Sequence, residues 1–255
     1  MIHPTAIIDP AAEVDPSARI GPYCIIGPGV AVGAETELQH HVTLMGATTI
    51  GSGNFFYAYC SIGQRTQDLK YEGEPTFLTI GDGNTFREFC TVNRGTLPGT
   101  KTTIGNGGNF LAYSHIAHDC TVGDKVIFSN NGTLAGHVEV GDCAVIGGLT
   151  AIHQFCRVGR HAITGGCSKI VQDVPPFFIA DGNPAEVRGV NQVGLERAGH
   201  PPETIRALKE AYRILYRGQL NVKQSVETIR QELPGIAEVT ELCDFIEQSK
   251  RGIIR

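Results

Sequence analysis

Starting at Ile8 and stepping by six, the chain meets an apolar residue almost every time. Of the 28 positions on this comb from 8 to 170, only Asp68, Glu74, Pro98 and Thr164 are not apolar. The whole chain is 41% hydrophobic, so chance would fill fewer than half. A period of six matches neither the 3.6 of a helix nor the 2 of a strand. It matches a short strand plus a corner, repeated, which is a parallel β-helix. Three such units close a coil of about 18 residues, and coils stack about 4.8 Å apart. No unit can bury its apolar residue alone; stacking makes the core continuous.

Two further registers follow the comb. Glycine comes directly after it at Gly21, Gly27, Gly33, Gly51, Gly63, Gly81, Gly105, Gly123, Gly141, Gly147, Gly159 and Gly165. Glycine there permits a positive φ at a tight corner. Four past the comb the residue is small, and Cys24, Cys60, Cys90, Cys120 and Cys156 fall there. These five of the eight cysteines therefore read as small packing residues. No CxxC pair suggests zinc or redox chemistry. The stretch "GPGVAVG" places its glycines on the corner register and has no helix after it, so it is not a phosphate loop.

Residues 63–79 and 93–103 are too polar for coil faces and are expected to leave the solenoid as loops. After "QDVPPFFIADGNPAE" the comb stops and helical spacing takes over. Ile205, Leu208, Tyr212 and Leu215 mark one helix, Val222, Val226 and Ile229 a second, and Val239, Leu242, Phe245 and Ile246 a third. The expected organisation is a solenoid over 1–190 and a helical domain over 191–255.

Net charge is −5, which argues against nucleic-acid binding. No apolar run is long enough for a transmembrane segment. The N-terminus has no signal-peptide pattern, so the expected location is cytoplasmic. Residues 186–255 carry 11 Lys/Arg against 10 Asp/Glu, and 1–185 carry 10 against 16. The helical part is thus the less acidic, with Arg206, Lys209, Arg213 and Arg217 as candidate contacts for an acidic partner or simply a solvated face.

The histidines single out one place. In coils of 18 residues, His118, Gly136 and Gln154 share a column, Asp119 and His137 share the next, and His153 stands beside them. His115 lies in the same coil as His118. Three readings are open. His118 could be a general base, since a free histidine titrates near pH 6.5, with Asp119 orienting its ring. The cluster could hold zinc. It could also be plain surface polarity, the reading adopted for the lone His3, His40, His161 and His200.

The comb as a whole resembles the hexapeptide-repeat acyltransferase superfamily, which implies a mainly β fold, a left-handed parallel β-helix with a C-terminal α-helical domain. More narrowly, "QDLKYEGEPT", "HIAHDCTVG", "LAGHVEVGD", "IGGLTAIHQFCRVG", "GGCSKIVQDVPP" and "RGIIR" resemble the acyl-[acyl-carrier-protein]:UDP-N-acetylglucosamine O-acyltransferases of lipid A biosynthesis. That resemblance implies a homotrimer with sites between neighbouring solenoids, acyl carrier protein and UDP-N-acetylglucosamine as partners, and no cofactor. It makes His118 the general base with Asp119 beside it, and the Gly136 N–H the oxyanion donor. It places Asp68, Lys70, His115, His137, His153 and Gln154 against substrate, Asn191 and Arg197 at the nucleotide, and Gly166 at the end of the acyl groove. Three positions depart from some members: Asn93 stands where they have His, and Val193 and Ala198 where they have charged residues. A 3-amino acceptor sugar is the variant reading. A γ-carbonic-anhydrase-like metalloprotein is a rival of another class; its H-x4-H pair is replaced here by "HIAH". The related glucosamine N-acyltransferases carry a domain before the solenoid, whereas here the comb begins at Ile8.

Overall fold

The computed structural model describes residues 1–255, and it is a left-handed parallel β-helix followed by four α-helices. Most strands are two residues long and lie on three faces of a triangular coil. The first face runs from Ile7–Ile8 to Lys169–Ile170, the second from Glu13–Val14 to Arg157–Val158, and the third from Arg19–Ile20 to the hairpin Phe178–Gly182/Ala185–Val190. Neighbouring coils pair at the spacing of 18 where no loop intervenes, as in His115↔Thr133 and Thr133↔Ala151. From Ile20 to Ile170 every apolar comb residue is buried, and Thr164, which breaks the comb chemically, is buried with them. Phe56, Phe86 and Phe110 stack up the axis with ring centroids 4.9 and 4.6 Å apart. Each such fully buried side chain stabilises the fold by roughly 1.5–3 kcal/mol.

The five registered cysteines are buried among these side chains and unpaired. Burial pushes the Cys120 thiol up to about 12 and that of Cys156 to about 11, so both stay protonated and unreactive near neutrality.

The expectation for the corner glycines needs correction. Of the twelve, only Gly63 has a positive φ, at 76°. The others are glycine because the next coil is too close. A β-carbon on Gly21 would stand 2.5 Å from the Gln39 carbonyl oxygen, and one on Gly147 would stand 2.4 Å from that of Thr164. The left-handed residue falls two positions later and is seldom glycine: Tyr23, His41, Tyr59, Asp119, His137 and Phe155 all have positive φ. This conformation costs roughly 1–2 kcal/mol per residue. It persists because the N–H there binds the coil below, as His137 N–H binds the His118 carbonyl at 3.0 Å.

Between those two positions lies a residue whose N–H has no backbone acceptor in the adjoining coil. On one corner side chains supply the acceptor: Ser52, Asp82, Asn106 and Asp124 each donate an N–H to Oδ1 of the Asp or Asn one coil on, at 2.7–2.8 Å. On the corner that holds His118, Gly136 and Gln154, no acceptor takes these N–H groups.

Two loops leave the coil. Strands reach further into them than expected, to Gln64 and from Phe77 in the first, and to Asn93 and from Lys101 in the second. The coils keep their register beyond the loops, with Ile50↔Ile80 and Ile62↔Val92 across the first and Ile80↔Ile104 and Val92↔Ile116 across the second; the one irregularity is a bulge at Gly63, after which Gln64 pairs with Asn93. They are bonded to each other: Thr96 Oγ1 donates to Thr66 Oγ1 at 2.8 Å, and the Asn93 amide donates to the Arg65 carbonyl at 3.1 Å.

Helix α1 is Gln192–Arg197, α2 Pro202–Tyr212, α3 Val222–Glu232 and α4 Ala237–Glu247. Pro202 opens α2, where its missing N–H costs nothing. A π-helical turn, Arg213–Arg217, carries α2 on to Gly218. Asn221 caps α3 reciprocally with Gln224. Leu195, Leu208 and Leu242 join the same buried core as the solenoid. Arg160 adds a bridge to Glu241 at 2.8 Å, and the Arg157 guanidinium lies 4.4 Å from the centre of the Phe245 ring. His161 and His200 are not surface residues. His161 is buried, and His200 Nδ1 lies 3.1 Å from Glu238 Oε1 at this junction. No helix is long and apolar enough to cross a membrane.

Candidate active site

The coil arithmetic brings His118, Asp119 and His137 together. His118 Nδ1 is 2.9 Å from Asp119 Oδ2, and His137 Nε2 is 3.8 Å from the same oxygen. The two rings meet edge to face at 5.1 Å. Asp119 is set by the second loop as well as by its corner. Its Oδ2 accepts the Thr96 N–H at 3.1 Å, and its own N–H donates to Thr102 Oγ1 at 2.9 Å. Burial works to raise its pKa, but hydrogen bonds from Thr100 and His118 and the nearby His137 and His118 charges outweigh it. The carboxyl is held below its ordinary value and stays ionised. An ionised acceptor at Nδ1 fixes the tautomer that leaves Nε2 of His118 free to take a proton.

Gly136 lies against this ring. A β-carbon there would stand 2.3 Å from Cε1 and 2.4 Å from Nε2 of His118, so only glycine admits the imidazole. Its N–H is one of the corner donors without an acceptor. From the other side the first loop brings Asp68, with Oδ2 4.0 Å from His118 Nε2. Asp68 in turn accepts the Lys70 N–H at 2.9 Å, while the Lys70 side chain is exposed and makes no contact with His118. His115 bonds Thr91 Oγ1 at 2.7 Å, and burial followed by the His118 charge lowers its pKa, keeping it neutral.

Other expected members fall elsewhere. The ring stacked on His137 belongs to Phe155, at 4.7 Å, not to His153. His153 is exposed and turns toward Arg251. The side chain of Gln154 is exposed in the His118 column and unbonded. Asn191 is buried and its amide is committed within the chain: Oδ1 caps α1 by accepting the Gly194 N–H at 3.0 Å, and Nδ2 donates to the His161 carbonyl at 2.8 Å. Arg197 is exposed on the last turn of α1 with no carboxylate partner. At Gly166 an added β-carbon would meet only the Gly148 carbonyl oxygen, at 3.5 Å, so the space there is open. Asn93 is buried between the loops with its Oδ1 unpartnered.

Thr91, Thr96, Thr102 and Phe155 are parts of the site that the motifs did not reveal. Thr96 acts through its backbone N–H, which carries no residue signature. Phe155 could have been found, because it lies 18 past His137. The donor atoms of His118, Asp119 and His137 lie within 4.8 Å of one another, close enough to consider a metal. Asp119 Oδ2, however, already accepts from His118 and Thr96, which turns the carboxylate toward orienting the ring.

A hexapeptide β-helix carrying a His–Asp pair beside an unoccupied corner N–H places the chain among the hexapeptide-repeat acyltransferases. Comparison with known proteins narrows the class. A family model described as "Udp N-acetylglucosamine O-acyltransferase; Domain 2" matches residues 173–254. The acyl-[acyl-carrier-protein]–UDP-N-acetylglucosamine O-acyltransferase of Myxococcus xanthus is 45% identical over 82% of both chains, and that of Burkholderia mallei 49% over 77%. Among solved structures, LpxA of Acinetobacter baumannii has a TM-score of 0.96 at 46% identity, covering 100% of this chain and 99% of its own. UDP-N-acetylglucosamine O-acyltransferase of Moraxella catarrhalis has 0.96 at 44%, with the same coverage. The chain belongs to the UDP-N-acetylglucosamine O-acyltransferase family.

Proposed function

We propose that the chain moves a 3-hydroxyacyl group from an acyl carrier protein thioester to the 3-hydroxyl of UDP-N-acetylglucosamine, the first step of lipid A biosynthesis. The observation that carries this is the pairing of His118 with Asp119 at 2.9 Å, with Gly136, whose N–H has no acceptor, packed against the same ring. Nε2 of His118 takes the proton of the sugar hydroxyl as its oxygen attacks the thioester carbonyl. The negative charge that develops on the carbonyl oxygen falls to the Gly136 N–H, which pays no reorganisation because nothing else binds it. Collapse expels the carrier thiolate, which receives the proton from the His118 imidazolium. Asp119 stabilises that cation and does not itself take the proton.

Division of roles follows the chain. The solenoid over 1–190 supplies the base, the oxyanion donor and the groove past Gly166. His115, His137 and Gln154 line the substrate, and Asp68 and Lys70 reach it from the first loop. The helical part over 191–255 supplies Arg197 for the nucleotide, and Asn191 serves by shaping α1. Arg197, His153 and Lys70 make no contact with His118 within one chain, which supports a site completed by a neighbouring copy in a homotrimer. A second support is the exposed column Tyr23, His41, Tyr59, Phe89 and Tyr113, stacked at 4.9–5.1 Å along one corner, a surface suited to cover by a neighbour. Carrier docking on α2 falls to Arg206 and Lys209, since Arg213 is held by Glu210 and Arg217 lies 5.8 Å from the Tyr212 ring centre. Such chemistry is that of a cytoplasmic enzyme. Mass spectrometry of the product from UDP-N-acetylglucosamine and a panel of 3-hydroxyacyl carrier proteins tests the reading; no acylated sugar nucleotide from any of them would refute it.

A further inference from the structure

Past His137 the site opens into a cavity of about 560 Å³ whose walls include Asp119, His137, Phe155, Arg157, Lys250 and Arg251. Its far wall is the C-terminal segment, and that segment is fastened down. Ser249 Oγ donates to Asp173 Oδ2 at 2.7 Å, the Asp173 N–H donates to the Gly252 carbonyl at 3.0 Å, and the Ile254 N–H donates to the Asp173 carbonyl at 2.9 Å. Ile253 and Ile254 are buried, and the Tyr216 hydroxyl holds the Ile254 carbonyl at 3.0 Å. Arg251 is therefore set in place from both sides, unlike a cation on a free tail.

The charges in this cavity do not cancel locally. Glu139 is taken by Arg157 at 3.2 Å, Asp119 by His118 and Thr96, and Asp173 by Ser249 and the Arg157 N–H. Lys250 and Arg251 have no carboxylate partner. The Arg251 guanidinium makes only long contacts, 3.4 Å to the Val171 carbonyl and 3.5 Å to His153 Nδ1. Most of its five donors are left without a partner at the wall of this cavity.

We propose that Arg251, assisted by Lys250, is a specificity residue that grips a phosphate of one of the two substrates. This rests on the acyl-transfer reading above. A guanidinium fork matches phosphate oxygens in pairs, and a fork held by a fastened backbone loses little freedom on binding. Both substrates carry such a group: the diphosphate on C1 of the sugar nucleotide, and the phosphodiester at the carrier end of the pantetheine arm. The grip sets substrate affinity and leaves proton transfer at His118 alone.

Steady-state kinetics on Arg251→Ala, Arg251→Lys and Lys250→Ala, varying each substrate in turn, tests this. Arg251→Ala should raise one KM by roughly ten- to a hundredfold, with kcat little changed. Arg251→Lys should recover part of the loss, and Lys250→Ala should move the same KM less. A shift in the sugar-nucleotide KM assigns the diphosphate. A shift in the thioester KM, absent with an acyl-pantetheine donor that lacks the phosphate, assigns the phosphodiester. Unchanged KM for both substrates overturns the proposal, as does an equal loss with the phosphate-free donor at unaltered sugar KM. If the wild type turns over neither substrate, the acyl-transfer reading fails on its own account. Calorimetric titration with inorganic pyrophosphate then decides the anion site: heat in wild type and none in Arg251→Ala supports it, and equal heats overturn it.

Discussion

A methyl group on Gly136 would collide with the His118 ring, its carbon 2.3 Å from Cε1. These two residues are one coil apart, and each limits what the other can be. The φ of Gly136 is not positive, so its backbone would accept alanine. Gly136→Ala should therefore leave the fold intact, displace the imidazole, and lower kcat on the order of 10²–10³. Circular dichroism and single-turnover assays check both halves; unaltered kcat would remove Gly136 from the mechanism.

His118→Ala removes the base without opening the core, since the ring lies on a corner. Turnover should fall on the order of 10²–10⁴, with the thermal transition and the oligomeric state retained. Near-normal product formation by mass spectrometry would mean that another group takes the proton.

Turnover should survive exhaustive chelation. Asp119 Oδ2, the oxygen that faces His118 and His137, is already bonded by His118 Nδ1 and the Thr96 N–H, and only Oδ1 has no partner. Activity lost with a chelator and restored by zinc would assign the cluster to metal instead.

Gly166→Met should shorten the preferred acyl chain from about C14 toward C10. The space past Gly166 is open, and each methylene buried there is worth about 0.8 kcal/mol, so two give a preference of roughly tenfold. Filling it penalises the longer tail. Equal chain preference in mutant and wild type would leave Gly166 as a corner glycine only.

Stability should fall as pH drops below the ordinary histidine value of 6.5. Burial and the His118 charge lower the pKa of His115; burial, Arg160 and His200 lower that of His161. Between the unfolded value of 6.5 and these lower folded values, the unfolded chain binds more protons. The stabilisation is thus full above that window and lost on descending through it. Urea midpoints measured across it should decline in wild type and flatten in a His115→Gln, His161→Gln double variant. Parallel declines would show that other groups are responsible.

The comb made the solenoid legible, because a large apolar residue buried once in every six leaves a period that neither a helix nor an ordinary strand produces. The cysteines were legible for the same reason. The His118–Asp119–His137 cluster followed from counting by 18, which works because no loop interrupts 104–170. The corner glycines were misread: their spacing is visible in a sequence, but whether glycine serves φ or a close approach depends on the coil above. Helix α1 escaped notice because six residues show too little periodicity and its cap, Asn191, looks like any polar residue. Thr96 was invisible because the atom that matters is a backbone N–H in a loop. That the ring above His137 is Phe155 and that His153 turns toward Arg251 was not legible, because a column number does not say which way a side chain turns.

The register of the coils makes position a matter of counting. His118 and Gly136 meet because 18 residues separate them, not because anything between them draws them together. Deleting one residue from that interval would keep every chemical group and still move Gly136, His137 and all that follow to the wrong address on the corner. The two loops are the exception. Their ends rejoin the sheet in register at Ile80 and Ile104, so their length is free to change without renumbering the coils. A lineage of such enzymes can therefore vary its substrate contacts in those loops, where Asp68 and Thr96 reach the site, while the interval from Ile104 to Ile170 keeps its length.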